Sequence, residues 1–214
     1  MSKIRLTLLS SLTILAVSAV ASASASAVIM PAYSTITGSL KIVSKKTNTS
    51  TTSLAALKGT IAGVEILIEC GVENGSGTVE NTAADGLSLA TVHYTVCKVS
   101  KPVGQNCLVF NGLVLVTAHD LLVLSGGKIR DQFEPQSGTT FTTIILDNCT
   151  TKALNGSFTV TGTAAAETNN ANSSLEFSET SGENLKFGGN PAIYTDSVEV
   201  LMENGGAILV QNER

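Results

Sequence analysis

The residues that could carry hydrolytic chemistry are few. The chain has two histidines, His93 and His119, and His119 is followed directly by Asp120. A nucleophilic hydrolase needs a serine, a base and a group that orients the base, all within hydrogen-bond reach. Consecutive residues of a strand point to opposite faces, so His119 and Asp120 cannot pair unless a turn lies there. We expect such a turn, a polar hairpin between residues 113–116 and 121–124, and we expect His93 to face solvent.

Other patterns match catalytic motifs only in part. The letters of an S-x-x-K motif occur at Ser125 to Lys128, but Gly126-Gly127 predicts a turn where that motif needs the start of a helix. Glu65 and Glu69 would share one strand face about 13 Å apart, too far for the paired carboxylates of glycoside hydrolysis. The sequence contains no G-x-S-x-G motif, phosphate loop, dinucleotide fingerprint or calcium loop. It therefore predicts no enzyme, no catalytic residue and no cofactor.

The cysteines are the remaining reactive residues. The chain has four of them, Cys70, Cys97, Cys107 and Cys149. An even number in an exported protein predicts two disulfides, with three pairings open. There is no C-x-x-C, and neither histidine lies near a cysteine pair at ligand spacing, so we expect no metal site.

The pattern of residues around the cysteines favours one pairing. Cys97 and Cys107 bracket a nine-residue segment, and Cys97 continues a polar strand face, so a bond between them would close a short loop. Cys70 continues the inward-facing alternation of residues 64–68 and needs a buried partner. Cys149 follows an apolar segment and is the better candidate. The sequence thus predicts the pairs Cys97–Cys107 and Cys70–Cys149.

The N-terminus has the pattern of a secretory signal peptide. Lys3 and Arg5 precede an uncharged, largely apolar run at residues 6–20, and alternating Ala and Ser follow up to Ala27. The apolar run is shorter than the roughly 20 residues that span a bilayer. We expect cleavage after Ala27 and a secreted, extracellular product comprising residues 28–214.

Composition excludes several classes of partner. Charged residues are 14% of the chain, the formal net charge is -4, and basic residues are scattered singly apart from Lys45 and Lys46. Nucleic-acid phosphates would find no positive stripe to bind, so we expect no nucleic-acid partner. The hydrophobic content of 43% is enough to build a core. After signal cleavage we expect no transmembrane segment, and cell-surface or matrix components are the candidate partners.

The remaining chain is typical of β-structure throughout. Val, Ile, Thr and Ser dominate, and Gly and Asn interrupt them at short intervals. No long stretch combines a helical period with a capping box. This predicts a single all-β domain, an antiparallel β-sandwich or barrel stapled by two disulfides. A break in alternation predicts a bulge near Ala90, and residues 44–53 and 167–174 are expected as long exposed loops. The expected strands are residues 36–43, 59–70, 87–97, 112–118, 121–124, 141–146, 156–163, 175–179, 197–202 and 207–210.

Short segments that occur in a fixed order carry a resemblance. They are Ile68-Glu69-Cys70, Gly75-Ser76-Gly77-Thr78-Val79, Tyr94-Thr95-Val96-Cys97, Gly112-Leu113-Val114, Asp147-Asn148-Cys149 and Leu154-Asn155-Gly156-Ser157-Phe158. Over roughly residues 59–163 the chain resembles a group of uncharacterised exported β-rich proteins of soil actinobacteria, which implies export but no activity. By the order of its cysteines alone it is similar to exported two-disulfide β proteins associated with alkane use.

These observations lead to one expected function and two alternatives. We expect a non-enzymatic structural or adhesive protein at the cell surface or in the extracellular matrix. The first alternative is a binder of a small hydrophobic ligand, which a closed apolar cavity would favour. The second is a secreted hydrolase, which would require a histidine in contact with both a carboxylate and a serine.

Overall fold

The computed structural model of this chain describes residues 30–34, 36–47, 54–82, 86–178 and 184–213. The predicted signal peptide, residues 1–27, lies outside them. Within the described residues, no helix is long and apolar enough to cross a membrane.

The described residues fold into sixteen β-strands and two single-turn 3-10 helices. The helices are Phe110–Gly112 and Lys152–Leu154. The strands are β1 Met30–Tyr33, β2 Leu40–Thr47, β3 Ala55–Ile61, β4 Val64–Asn81, β5 Gly86–Lys101, β6 Leu108–Val109, β7 Leu113–Ser125, β8 Lys128–Pro135, β9 Thr140–Asp147, β10 Gly156–Thr161, β11 Ala164–Asn169, β12 Ser174–Phe177, β13 Lys186–Phe187, β14 Asn190–Pro191, β15 Ile193–Met202 and β16 Val210–Glu213.

Eight strand positions close into an antiparallel barrel. Their order is β15-β2-β4-β5-β7-β8-β11-β12, and β12 pairs back onto β15 through Leu175 and Val198. Strand β3 continues the position of β2, because both lie end to end between β4 and β15. The structure therefore confirms the all-β, antiparallel, barrel-like fold.

Alternation of side chains produces the inner and outer faces of this barrel. In β7, Val114, Ala118 and Leu122 are buried, whereas Leu113 and Leu115 are exposed on the outer face. A period of two places such residues on opposite faces of a strand. Burial of each large apolar side chain contributes about 1.5–3 kcal/mol to folding.

Two smaller sheets pack against the barrel and divide its core into two clusters. The five-stranded sheet β14-β13-β10-β9-β6 contributes Leu146 and Phe187 to a cluster that also contains Ile66 of the barrel. The ribbon of β1 and β16 contributes Tyr33 to a second cluster, which contains Leu122. Members of both clusters line one cavity in the barrel interior, which is described below.

The disulfide pairing differs from the prediction, although the number of disulfides is confirmed. The bonds are Cys70–Cys97 and Cys107–Cys149, not Cys97–Cys107 and Cys70–Cys149. Cys97 is buried rather than at a loop edge, and it lies directly opposite Cys70 in the β4–β5 register. Cys107 precedes β6, whose pairing with β9 brings it beside Cys149 at the end of β9.

The inward turn of Cys97 has a local backbone cause. Tyr94 and Cys97 both point into the barrel although they are three residues apart in β5, and Val96 between them has a φ of 56°. Cys70 and Glu73 of β4 both face inward at the same level and are also three residues apart. Each strand thus contains one extra residue, so the register is kept while the alternation of both strands reverses.

Three further expectations are wrong. The bulge expected near Ala90 is absent, because β5 pairs without a shift from Leu87 to Thr95 against β7. The polar turn expected at His119 and Asp120 is the middle of the continuous strand β7. Of the two expected long loops, residues 44–47 belong to β2 and residues 48–53 lie outside the described residues, while residues 167–174 form the β11–β12 hairpin.

Candidate functional site

A cavity of about 190 Å³ lies inside the barrel. Most of its wall is apolar, with Val92, Val116 and Phe133 among the lining side chains. The wall also includes Asn169 and Asn170, which are exposed at the turn between β11 and β12, so the cavity approaches the surface there. The barrel is therefore not completely filled by its own side chains.

Small residues on facing strands leave this space. Ala90, Ala118 and Ala164 line the cavity where larger residues would fill it. Barrels of eight strands have an interior just wide enough for side chains or for one small ligand.

One pair of buried carboxyl groups, Glu73 and Asp196, lies beside a lysine. Lys46 Nζ is hydrogen-bonded to Asp196 Oδ1, and the backbone N–H of Ser197 donates to the same oxygen at 2.8 Å. Tyr194 donates its hydroxyl to Asp196 Oδ2 at 2.8 Å. Asp196 thus accepts three hydrogen bonds, one of them from a cation, which makes it the ionised member of the pair.

Glu73 carries the proton of this pair. Burial raises the pKa of Glu73 to about 8, and the hydrogen bond and charge repulsion from Asp196 act in the same direction. Ser44 Oγ donates to Glu73 Oε1 at 3.1 Å, but Glu73 Oε2 is buried without a conventional partner. A proton on Glu73 gives it a hydrogen bond to Asp196 that two carboxylates could not form.

A second pair, Asp120 and Asp131, lies further along the barrel interior. Ser88 Oγ donates to Asp120 Oδ1, and Tyr33 Oη donates to Asp120 Oδ2 at 3.3 Å. Asp131 is 5% exposed, and its Oδ1 atom is buried without a hydrogen-bond partner. Burial, followed by repulsion and hydrogen bonding from Asp120, raises the pKa of Asp131 well above its ordinary value. Asp131 is therefore the protonated member and Asp120 the ionised one.

The tyrosines around both pairs remain hydrogen-bond donors. Burial raises the pKa of Tyr33, Tyr94 and Tyr194, and the neighbouring carboxylates raise it further. The hydroxyls of Tyr94 and Tyr194 are hydrogen-bonded to each other at 2.9 Å. A neutral phenol donates a hydrogen bond, so these residues can hold the ionised carboxylates in place.

The two pairs are connected through the cavity. Ser88 and Tyr94 lie beside the two pairs and are six residues apart on β5, roughly 20 Å along the strand at about 3.3 Å per residue. The protonated members, Glu73 and Asp131, line the cavity. A bound molecule in the cavity would therefore meet the protonated carboxyls first.

The residues that the sequence singled out lie elsewhere. His93 is exposed, and Glu65 and Glu69 lie 3.2 and 4.0 Å from lysine ammonium groups near the surface. His119 Nε2 lies 3.6 Å from Glu134 Oε2, which is one of the two contacts a triad needs, and no serine hydroxyl is bonded to it among the described residues. Gly126 forms the expected turn. None of these side chains lines the cavity.

The sequence did contain a signal for the acid pairs. Asp120 has the same inward parity as Ala118 and Leu122, and Asp196 shares the parity of Val198. Burying a carboxylate on the apolar face of a strand is energetically unfavourable unless the carboxylate is paired. Such a residue therefore indicates a candidate functional site. Within the described residues, no group of three or more His, Cys, Asp or Glu side chains is arranged to hold a metal ion. No family model, curated protein or solved structure matches the chain.

Proposed function

We propose that this protein binds a small, mainly apolar molecule inside its barrel. The observation that carries the proposal is the cavity of about 190 Å³ with its largely apolar wall. An engineered apolar cavity of about 150 Å³ holds benzene, so a space of this size suits a one-ring molecule or a short chain. Apolar enclosure with a few polar groups is the usual character of a ligand site.

Secretion belongs to the same proposal. The two disulfides, Cys70–Cys97 and Cys107–Cys149, are of the kind that persist in oxidising compartments. The signal-like sequence up to Ala27 supports export to such a compartment. A secreted binder of small molecules would capture or carry its ligand outside the cell.

Toluene is a suitable probe of the cavity, because it is uncharged and close to the cavity in size. We expect it to raise the unfolding temperature of the wild type, since a ligand at 100 times its Kd stabilises the folded state by about 2.7 kcal/mol. Val92→Phe places a ring in the cavity and should weaken toluene binding by at least about 10-fold. His93→Phe adds the same ring to the outer face of the same strand and should leave binding unchanged. Calorimetric titration and thermal unfolding measure both effects.

Two results would count against ligand binding. The first is an unfolding temperature of the wild type that saturating toluene leaves unchanged, and the second is equal binding of toluene by Val92→Phe and His93→Phe. Either result would favour the structural or adhesive role over ligand binding. The observation that favours that role is the apolar outer face of β5 and β7, where Leu89, Leu113 and Leu115 are each more than 40% exposed.

A further inference from the structure

The Asp120–Asp131 pair has a negative charge that no neighbouring cation balances. Among the residues that the structure describes, no lysine or arginine forms an ion pair with Asp120 or Asp131. When the pair shares one proton it still has a net charge of -1. An isolated buried charge is strongly unfavourable unless something pairs with it.

Asp131 is the member of this pair that lines the cavity. The side chain of Asp131 lines the cavity wall, and its Oδ1 atom is buried without a hydrogen-bond partner. Both oxygens of Asp120, in contrast, accept hydrogen bonds, one from Ser88 and one from Tyr33. Asp131 Oδ1 is therefore a buried acceptor atom without a partner, on a side chain that lines the cavity.

The position of Asp131 suits an anchor near an entrance. Asp131 lies opposite Ala166 in the β8–β11 register. Asn169, at the exposed turn where the cavity approaches the surface, is three residues further along β11, about 10 Å at 3.3 Å per residue. Between them the wall includes Thr168. A ligand of one-ring size could reach Asp131 from this turn.

We propose that the ligand of this cavity is a small organic cation, a primary ammonium on an apolar body of about one ring, and that its ammonium group binds Asp131 Oδ1. This inference rests on the proposed function, because it assumes that the cavity binds a ligand at all. The ammonium donates a hydrogen bond to the unpaired oxygen and neutralises the pair without requiring any proton to leave it. The apolar body fills the rest of the cavity.

The other buried pair does not suit the same ligand. Lys46 already neutralises the Glu73–Asp196 pair, which with one shared proton and the ammonium has no net charge. A second ammonium near Glu73 would be repelled by Lys46. An anionic ligand would in turn be repelled by the Asp120–Asp131 pair. The two pairs together therefore favour a cation bound at the Asp131 end.

Three probes of nearly equal size and shape show how the charge of the ligand alone affects its affinity. Benzylamine, benzyl alcohol and toluene would be titrated into the full protein at pH 7, where the amine is an ammonium ion. We expect wild-type protein to bind benzylamine at least about 10-fold more tightly than benzyl alcohol, since hydrogen bonds to charged groups are the stronger ones. The double variant Asp120→Asn/Asp131→Asn removes the charge of the pair without changing its shape and should abolish this preference, and its toluene binding shows whether the cavity still forms. Glu69→Gln is the control, since Glu69 is a partly exposed carboxylate that does not line the cavity, and it should keep the preference.

The outcomes distinguish this inference from the proposed function. Toluene binding without any preference for benzylamine over benzyl alcohol in the wild type would overturn the cation proposal and leave apolar ligand binding standing. A preference that survives the double variant, or that the control variant removes, would show that the Asp120–Asp131 pair is not the anchor. Failure of all three probes to bind the wild type would remove both proposals. The wild-type comparison tests the charge preference even if a variant does not fold.

Discussion

The two acid pairs in this barrel are built from similar parts but differ in one residue. Each consists of an ionised aspartate behind a protonated carboxyl that lines the cavity, and each has a serine and a tyrosine as donors. Lys46 lies beside the Glu73–Asp196 pair, and no corresponding cation lies beside the Asp120–Asp131 pair within the described residues. The negative charge of the first pair is therefore balanced by a cation, whereas that of the second pair is not.

The presence or absence of a neighbouring cation distinguishes a structural buried charge from a functional one. A buried ion pair with all its hydrogen bonds made is consistent with a role in the fold, although it adds little net stability. A buried acid without a countercharge and with an unpaired oxygen is a less stable arrangement, of the kind that is concentrated at functional sites. If the cavity binds the ligand proposed above, Lys46 and Glu73 serve the fold and Asp131 serves the ligand.

Removing the lysine should make the first pair resemble the second and should cause the largest loss of stability. Lys46→Met keeps most of the side-chain length but leaves the Glu73–Asp196 pair with an uncompensated buried charge. We expect the free energy of unfolding to fall by about 3–5 kcal/mol. Lys98→Met is the control, since Lys98 is well exposed and 4.0 Å from Glu69, and it should change stability by about 1 kcal/mol or less. Urea unfolding measures both; equal losses would show that Lys46 has no special structural role.

Protonation of Glu73 should make stability depend on pH in an unusual direction. Its pKa is about 8 in the folded protein and about 4.5 when unfolded. Between these values the folded state holds a proton that the unfolded state has lost, so stability is full below about pH 4.5 and declines as pH rises to about 8. The raised pKa of Asp131 acts in the same direction. We expect a loss of the same order as in Lys46→Met, because a difference of several pKa units between the folded and unfolded states corresponds to several kcal/mol.

Glu73→Gln tests this dependence. The amide resembles the protonated carboxyl and can still donate to Asp196, but it does not titrate, so the decline of stability between pH 5 and 8 should become shallower. Glu69→Gln removes a partly exposed carboxylate from the same strand and should leave the slope as in the wild type. Urea midpoints at several pH values measure the slopes. A wild-type stability that rises over this interval would show that Glu73 is ionised in the folded protein.

The fold was largely predictable because its signals are local. Alternation of apolar and polar residues, as at residues 197–202 of β15, predicts antiparallel strands, and the four cysteines predict two bonds. Their pairing was not predictable by the same reasoning, since it assumed unbroken alternation along β5. The extra residue between Tyr94 and Cys97 reverses the face of Cys97, and the matching extra residue before Glu73 preserves the register. Such paired irregularities depend on two strands that are distant in sequence.

The candidate site was missed for a related reason. The sequence reasoning placed apolar residues inside, yet Ser88 is buried in β5 while its neighbour Leu89 is 41% exposed. Ser88 faces inward because it donates to Asp120, so a polar contact between two strands overrides local hydrophobicity. The inward parity of Asp120 could have been noticed, but its partner Asp131 is identified only when β7 and β8 are paired.

The smallest expected effects test where the proton of the second pair resides. Among the described residues no serine or tyrosine donates to Asp131, so Asp131→Asn imitates its protonated form and should change the free energy of unfolding by about 1 kcal/mol or less. Asp120 accepts hydrogen bonds from Ser88 and Tyr33, and an amide nitrogen cannot accept either of them. Asp120→Asn should therefore cost more, about 1–3 kcal/mol. Equal costs in urea unfolding would mean that the proton is not localised on Asp131.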